Sequence, residues 1–133
     1  QSSYGMFILD AFSGDSIPIH LLTREAVELY LTKLLPEGLL LFHVSNRYMD
    51  LTKVVARVAD RLNLTALVQQ DGNLSEHEIA EGKQPSVWVI LAAQKHVLTP
   101  LTGDSRWKPL ADGGSGDLWT DNYSNILQVL RWK

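Results

Sequence analysis

Two aspartates in the first loop of the chain are the side chains best suited to chemistry. Asp10 directly follows an apolar run at residues 6–9, which is typical of a strand buried on both faces. Asp15 follows five positions later, beyond a Ser13-Gly14 turn signal. Ligands of open α/β sheets bind at the carboxyl ends of the strands, where this pattern places Asp10. A carboxylate there can accept a proton, although it can also cap the loop by accepting backbone N–H bonds.

Other polar residues are weaker candidates. His43 lies within an apolar strand-like run, a position more typical of a hydrogen-bonded core histidine than of a ligand or base. Asp121 and Tyr123 could approach an amine site or cap the end of an element. The remaining histidines lack metal-like spacing with carboxylates and the chain has no cysteine, so no metal site is predicted.

Alternating strands and helices must position these side chains. Residues 6–9 and 39–44 are apolar runs typical of buried strands. A first helix is predicted between Thr23 and a Pro36-Glu37-Gly38 stop, and a second is predicted to begin at Asp50. Strand, helix, strand, helix in this order predicts right-handed crossover units and a parallel sheet covered on both faces.

The second half of the chain is less regular. Residues 65–69 and 87–93 are typical of strands, and Ser75 with Glu78 has the spacing of a capping box. The glycine-rich segment 112–117 predicts a flexible surface loop, because it lacks the strand before and the helix after that a phosphate-binding loop requires. Apolar residues between Asn122 and Trp132 predict that the tail docks on the body.

Composition limits the classes of protein. The 133 residues, 45% of them hydrophobic and 20% charged, are typical of one ordinary domain. Fifteen acidic against twelve basic residues give a net charge of -3, which disfavours nucleic acid as a partner and mildly favours a cationic ligand. The apolar runs are shorter than the roughly 20 residues of a membrane-spanning helix. The chain opens almost directly on a strand, which suggests a cut from a longer protein.

A family resemblance covers nearly the whole chain. The segment Asp10-Ala-Phe-Ser-Gly-Asp-Ser-Ile-Pro18, followed by His20-Leu-Leu-Thr-Arg-Glu25 and Leu29-Tyr30, resembles spermidine synthases and their fused, membrane-anchored relatives. Residues 35–38 and 43–51 are similar to the next strand and loop of that family, and residues 119–124 resemble a terminal motif of the fused relatives.

The resemblance implies an α/β fold of a particular kind. Residues 1–133 would form one partial domain, the carboxyl-terminal half of a Rossmann-like class I methyltransferase-type fold, with a mostly parallel sheet and one antiparallel strand. The glycine-rich turn and the acidic ribose-binding residue of the family would lie upstream, so the isolated chain would be inactive. The missing strands would expose the flank of residues 6–9, and such an edge favours a homo-oligomer.

The resemblance also implies an activity, the transfer of an aminopropyl group from decarboxylated S-adenosylmethionine to a small-molecule amine, as in polyamine biosynthesis. Asp10 would be the catalytic base, Asp10 and Ala11 would contact the nucleoside, and Asp15 would bind the substrate ammonium, with Asp121 and Tyr123 nearby. The usual family pattern places the two aspartates three positions apart with proline next, whereas Asp10 and Asp15 are five apart.

Two other functions stay open on the same residues. One is an S-adenosylmethionine-dependent methyltransferase, and the other is a non-catalytic module for ligand sensing or association, carried by a protein with a membrane domain. The membrane-anchored relatives imply a location in the cytoplasm or at the cytoplasmic face of a membrane.

Overall fold

A five-stranded sheet with helices packed against it forms the body of the protein. The computed structural model describes residues 3–114 and 116–131. The strands are Tyr4–Leu9 (β1), Leu34–His43 (β2), Thr65–Asp71 (β3), Ser86–Ala92 (β4) and Trp107–Pro109 (β5). The α-helices are Arg24–Lys33 (α1), Thr52–Arg61 (α2), Glu76–Ala80 (α3) and Thr99–Thr102 (α4), and short 3-10 turns lie at Ile19–Leu21, Lys95–Leu98 and Ile126–Gln128.

The sheet is mixed and mostly antiparallel, so the expectation of a mostly parallel, Rossmann-like sheet is wrong. The strand order is β1-β2-β4-β3-β5, and among these strands of the described residues only β1 and β2 pair in parallel. β4 inserts between β2 and β3 and runs antiparallel to both, and β5 is antiparallel to β3. The crossover through α2 makes β2 and β3 run in the same direction, but it does not make them neighbours.

The main core lies between the sheet and helices α1 and α2. Phe7 of β1 stacks on Tyr30 of α1 with ring centroids 5.2 Å apart. Leu40 and Phe42 of β2 are fully buried on the same side. The α2 face is apolar, with buried residues Val54, Val55, Ala56, Val58 and Ala59. Burial of these apolar faces is the main source of stability for the β1-β2 unit.

The predicted caps at Thr23 and Ser75 are confirmed, whereas the helix predicted to begin at Asp50 begins at Thr52 with Leu51 as its N-cap. Thr23 is buried, and its hydroxyl oxygen accepts the N–H of Ala26 at 3.2 Å. Ser75 and Glu78 form the predicted capping box, in which each side chain accepts a backbone N–H of the other residue. The predicted stop at Pro36 lies instead inside β2, because α1 ends at Lys33 and the chain continues directly into the strand.

Glu78 also makes an ion pair with Lys83, whose ammonium lies 2.8 Å from Glu78 Oε1 and 2.9 Å from Asp71 Oδ2. The hydrogen bond from Lys83 is the main reason that the pKa of Glu78 falls to about 2 from an ordinary 4.5. Because the folded value is the lower one, this contact stabilises the fold above about pH 4.5 and loses its effect as the pH falls through about 2. We expect the carboxyl titration midpoint of Glu78, followed by NMR, to rise toward 4.5 in Lys83→Met. An unchanged midpoint would contradict this assignment.

The glycine-rich loop is tied to α2 by one arginine. Arg57 Nε donates to the carbonyl oxygen of Gly113 at 2.8 Å, and its Nη1 donates to that of Asp117 at 3.4 Å. The loop was predicted only as a flexible surface segment, since no local pattern shows that an arginine from α2 contacts it.

A methyl group at Gly113 is therefore expected to destabilise the fold. It would lie 2.1 Å from Arg57 Cγ and 2.8 Å from the carbonyl oxygen of Lys53, which is backbone and cannot rotate away. Overpacking of this kind costs about 1–3 kcal/mol, so we expect Gly113→Ala to lower the unfolding free energy by that amount in urea. Gly103→Ala, where nothing lies within 4 Å, is the control. Equal effects of the two substitutions would contradict the packing argument.

The carboxyl-terminal tail docks beside the loop that follows β2, as predicted. The Asp50 N–H donates to the carbonyl of Val129 at 2.8 Å, the Arg131 N–H donates to that of Tyr48 at 2.7 Å, and Val129 is buried. Trp132 lies outside the described residues. None of the described helices has the length and apolar character needed to cross a bilayer.

Candidate functional site

The parallel register of β1 and β2 brings Asp10 and His43 together. Leu9 pairs with Phe42, so the next residues, Asp10 and His43, emerge side by side at the carboxyl ends of the two strands. Asp10 Oδ1 lies 2.7 Å from His43 Nδ1. The aspartate side chain is 60% exposed and the histidine side chain 20% exposed, so the carboxylate faces solvent while the ring is largely enclosed.

Ser45 and Trp88 hold the histidine ring from its other sides. Ser45 Oγ lies 2.8 Å from His43 Nε2 and accepts the backbone N–H of Val87 at 2.8 Å. Trp88, the cross-strand partner of His43 in β4, stacks on the imidazole with centroids 4.5 Å apart and planes inclined by 19°. The ring is thus fixed in position by two strands, β2 and β4.

A cleft of about 840 Å³ opens beside this cluster. His43 and Ser45 line one part of it, and Asp15 brings a second carboxylate. Two cationic side chains, Arg47 and Arg131, also line it. The cleft therefore carries charges of both signs, with Asp10 at the end of the neighbouring strand.

Asn46 fastens the loop that leads to Asp15. Its Nδ2 donates to the carbonyl of Phe12 at 2.7 Å and to that of Gly14 at 3.3 Å. Its Oδ1 accepts the N–H groups of Tyr48 and Met49 at 2.9 and 3.0 Å. One amide thus joins the loops after β1 and β2, and these are the loops that form the cleft.

The other predicted substrate residues lie elsewhere. Asp121 and Tyr123 line a separate cleft of about 760 Å³, together with residues of α1 and the segment before it. Asp121 Oδ1 accepts the Thr23 hydroxyl at 2.6 Å, and the Asp121 N–H donates to Glu25 Oε2 at 3.0 Å. The structure therefore places Asp15 in the cleft beside His43, with Asp10 bound to His43 but not itself among the lining residues, and it places Asp121 and Tyr123 in another cleft.

The side chains of this second cleft have defined partners. The pKa of Glu25 is lowered, first by its own backbone N–H, and also by the N–H of Asp121 and by Arg24. The Tyr123 hydroxyl donates to Asp117 Oδ2 at 2.9 Å, a bond that raises the pKa of the phenol. Asp121 thus binds residues at the start of α1, and Tyr123 binds Asp117 within its own segment. Such contacts agree with the alternative that Asp121 and Tyr123 cap the end of an element. Ala11, predicted to contact a nucleoside, is exposed next to Asp10.

The sequence pattern predicts a core histidine at His43, whereas the structure pairs its ring with Asp10. A usable signal was present, because Asp10 follows one predicted strand and His43 ends the next. Parallel neighbours place such residues at the same edge. Ser45 had no signal of its own, since its role depends on the backbone of β4.

No metal centre is formed by the described residues, because no three His, Asp or Glu side chains among residues 3–114 and 116–131 are grouped to hold an ion. Comparison of the chain with protein-family models, with curated proteins and with solved structures finds no match in any of the three.

Proposed function

We propose that the chain is a spermidine synthase-like domain in which Asp10 accepts a proton from a small amine during aminopropyl transfer. The observation that carries the proposal is the hydrogen bond between the Asp10 carboxylate and His43. Asp10 Oδ1 is bound by His43 at 2.7 Å, while Oδ2 makes no hydrogen bond to a described residue. The adjoining cleft supplies a second carboxylate, Asp15, and the resemblance of residues 10–18 supplies the reaction.

The proposed chemistry needs one base. An ammonium group of the substrate gives a proton to the Asp10 carboxylate and becomes a neutral amine. The nitrogen lone pair then forms a bond to the methylene carbon beside the sulfonium of the donor, and the C–S bond breaks. Its electron pair stays on sulfur, which becomes a neutral thioether, and the product nitrogen carries the positive charge. General base catalysis of this kind contributes about 10²- to 10⁴-fold in rate.

Asp15 is proposed to pair with the second ammonium group of a diamine. A cation that is partly removed from water is costly unless it is paired, and a carboxylate lining the cleft provides that pairing. Arg47 and Arg131 line the same cleft, so we expect the diamine to lie at the aspartates and away from the guanidinium groups.

The proposal of decarboxylated S-adenosylmethionine as the donor is based on the family resemblance alone. No residue of the sequence matches the glycine-rich turn or the acidic ribose-binding residue of the family. Methyl transfer from S-adenosylmethionine and a non-catalytic sensing role are therefore outcomes that the experiment must separate.

The test uses the full-length protein. It is incubated with decarboxylated S-adenosylmethionine and 1,4-diaminobutane, and with S-adenosylmethionine in a parallel reaction, and the products are identified by mass. An added aminopropyl group supports the proposal, whereas an added methyl group replaces it with methyl transfer. Calorimetry with the diamine on wild type and Asp15→Asn tests the amine site. If neither nucleoside nor diamine binds, the non-catalytic role is favoured.

A homo-oligomer through β1 remains part of the proposal. β1 pairs only with β2, and Tyr4, Met6 and Ile8 on one of its faces are about half exposed. β1 carries no charged residue, the usual protection of a free strand edge. Two copies of this edge could pair around a two-fold axis.

We expect light scattering to show association of the wild-type chain at high concentration and its loss in Ile8→Lys. Leu127→Lys, a change at another exposed leucine, is the control. A wild-type chain that stays monomeric at high concentration would contradict the proposed pairing.

A further inference from the structure

We infer that His43 is a positioning residue that holds the carboxylate of Asp10 through one ring tautomer, which is fixed by Ser45. This inference rests on the proposed function, because it assigns a role to a neighbour of the proposed base. The cluster joins four groups in a row: the Val87 N–H, the Ser45 hydroxyl, the His43 ring and the Asp10 carboxylate.

The donors and acceptors of this row decide where the protons lie. An ionised carboxylate only accepts hydrogen bonds, so His43 Nδ1 must carry the hydrogen that it shares with Asp10 Oδ1. In the neutral ring Nε2 is then an acceptor, and it takes the hydrogen of Ser45. The Ser45 oxygen in turn accepts the Val87 N–H. Every donor in the row has an acceptor in this arrangement.

The opposite arrangement leaves groups without partners. With the hydrogen on Nε2, His43 Nδ1 and the Asp10 carboxylate would be two acceptors 2.7 Å apart. The Ser45 oxygen would receive two donors, from His43 and from Val87, and its own hydrogen would lack an acceptor in the row. Mismatches of this kind are unfavourable, because a donor or acceptor that is left unpaired in the cluster loses a hydrogen bond that it would make in water.

The ring is held by strands, whereas Asp10 lies in a loop. His43 ends β2, and the paired residue Trp88 of β4 stacks on its face. Asp10 is the first residue after β1 and is mostly exposed. The fixed ring therefore selects one orientation of the exposed carboxylate, in which Oδ1 is bound and Oδ2 is available to the substrate ammonium.

The order Asp, His, Ser also occurs in hydrolases, where the serine oxygen attacks substrate. Here Ser45 Oγ accepts a backbone N–H of β4 at 2.8 Å. That bond occupies a lone pair of the oxygen and fixes the side chain to the sheet. The geometry therefore favours an orienting role for Ser45 over a nucleophilic one.

The tautomer can be measured without activity. Nitrogen-15 NMR of the full-length protein distinguishes Nδ1–H from Nε2–H on a neutral imidazole. We expect Nδ1–H for His43 in wild type and a larger share of Nε2–H in Ser45→Ala. His96, which contacts Glu37 through Nε2, is an internal reference with a different hydrogen-bond pattern. A wild-type His43 with its hydrogen on Nε2 would overturn the inference.

A double-mutant cycle in the full-length protein tests the functional part. His43→Phe keeps a ring against Trp88 but removes the donor, and we expect kcat/KM to fall on the order of 10²-fold, as for a misplaced catalytic group. His43→Asn restores an amide donor near the position of Nδ1 and should recover much of the rate. In an Asp10→Asn background, His43→Phe should cause no further loss. Equal losses in both backgrounds would overturn the positioning role.

The possible failures are distinguishable. If Asp10→Asn transfers aminopropyl groups at the normal rate, the roles proposed for Asp10 and His43 are both wrong. The NMR result would still show which nitrogen of His43 carries the hydrogen. If aminopropyl transfer is slow in Asp10→Asn but has the normal rate in His43→Phe, only the positioning role of His43 is wrong. Thermal unfolding of His43→Phe at the wild-type temperature would show that a lost rate is not lost folding.

Discussion

Asp10→Asn is expected to slow aminopropyl transfer in the full-length protein by about 10²- to 10⁴-fold, the range that a positioned general base contributes. Asparagine has nearly the same shape, and its carbonyl oxygen can still accept the hydrogen of His43 Nδ1. Its amide cannot accept the proton of the substrate ammonium. The substitution therefore removes the proton acceptor while it leaves the local structure in place.

The rate is measured from product formation at saturating amine and donor, so that weaker binding is separated from slower chemistry. Asp60→Asn makes the same change of charge at an exposed position of α2 and should leave the rate unchanged. A normal rate in Asp10→Asn would remove the proposed base, whatever the product of the wild-type enzyme.

The second large effect is expected at Trp119. This residue is fully buried and is the largest such side chain among the described residues. Its carbonyl oxygen accepts the N–H of Arg24 at 2.9 Å, at the start of α1. Truncating a buried tryptophan leaves a large cavity, so we expect Trp119→Ala to lower the unfolding free energy by about 3–5 kcal/mol.

A milder variant tests the packing argument further. The Trp119 indole N–H is buried and has no hydrogen-bond partner among the described residues. Phenylalanine removes that unsatisfied donor, whose burial costs about 1–3 kcal/mol, and this offsets part of the lost packing. We expect Trp119→Phe to be clearly less destabilising than Trp119→Ala in urea unfolding. Leu127→Ala, at a side chain that is 67% exposed, should have little effect. Equal losses for the two Trp119 variants would contradict the packing argument.

The proposed site lies at the edge of the sheet where β1 and β2 end. Among the strands of the described residues, β1 and β2 are the only parallel pair, and their carboxyl ends carry Asp10 and His43. The antiparallel pairing of β2 with β4 supplies the Trp88 ring and the Val87 N–H to the same cluster. The same strand that overturned the predicted sheet thus provides the ring that stacks on His43 and the N–H that binds Ser45.

Local patterns in the sequence predicted the starts of α1 and α3 and the apolar runs of four strands, but they predicted neither β5 and α4 nor the end of α1. Thr23 caps α1, and Ser75 with Glu78 forms a capping box, because these contacts lie within three residues and depend only on neighbouring backbone. The apolar runs became strands, and the apolar tail docked, since burial of such segments is favourable in almost any compact arrangement. The position of Asp10 at a strand end was also available from the sequence alone.

Only the tertiary structure decided which strands are neighbours and which polar groups meet. An apolar run can pair with either a parallel or an antiparallel strand. The pattern of apolar residues therefore does not predict that β4 lies between β2 and β3. The same pairing sets Ser45 against Val87 and His43 against Trp88, and the fold of the tail separates Asp121 and Tyr123 from Asp15. These contacts join residues far apart in the chain, and side-chain packing across the whole sheet determines them.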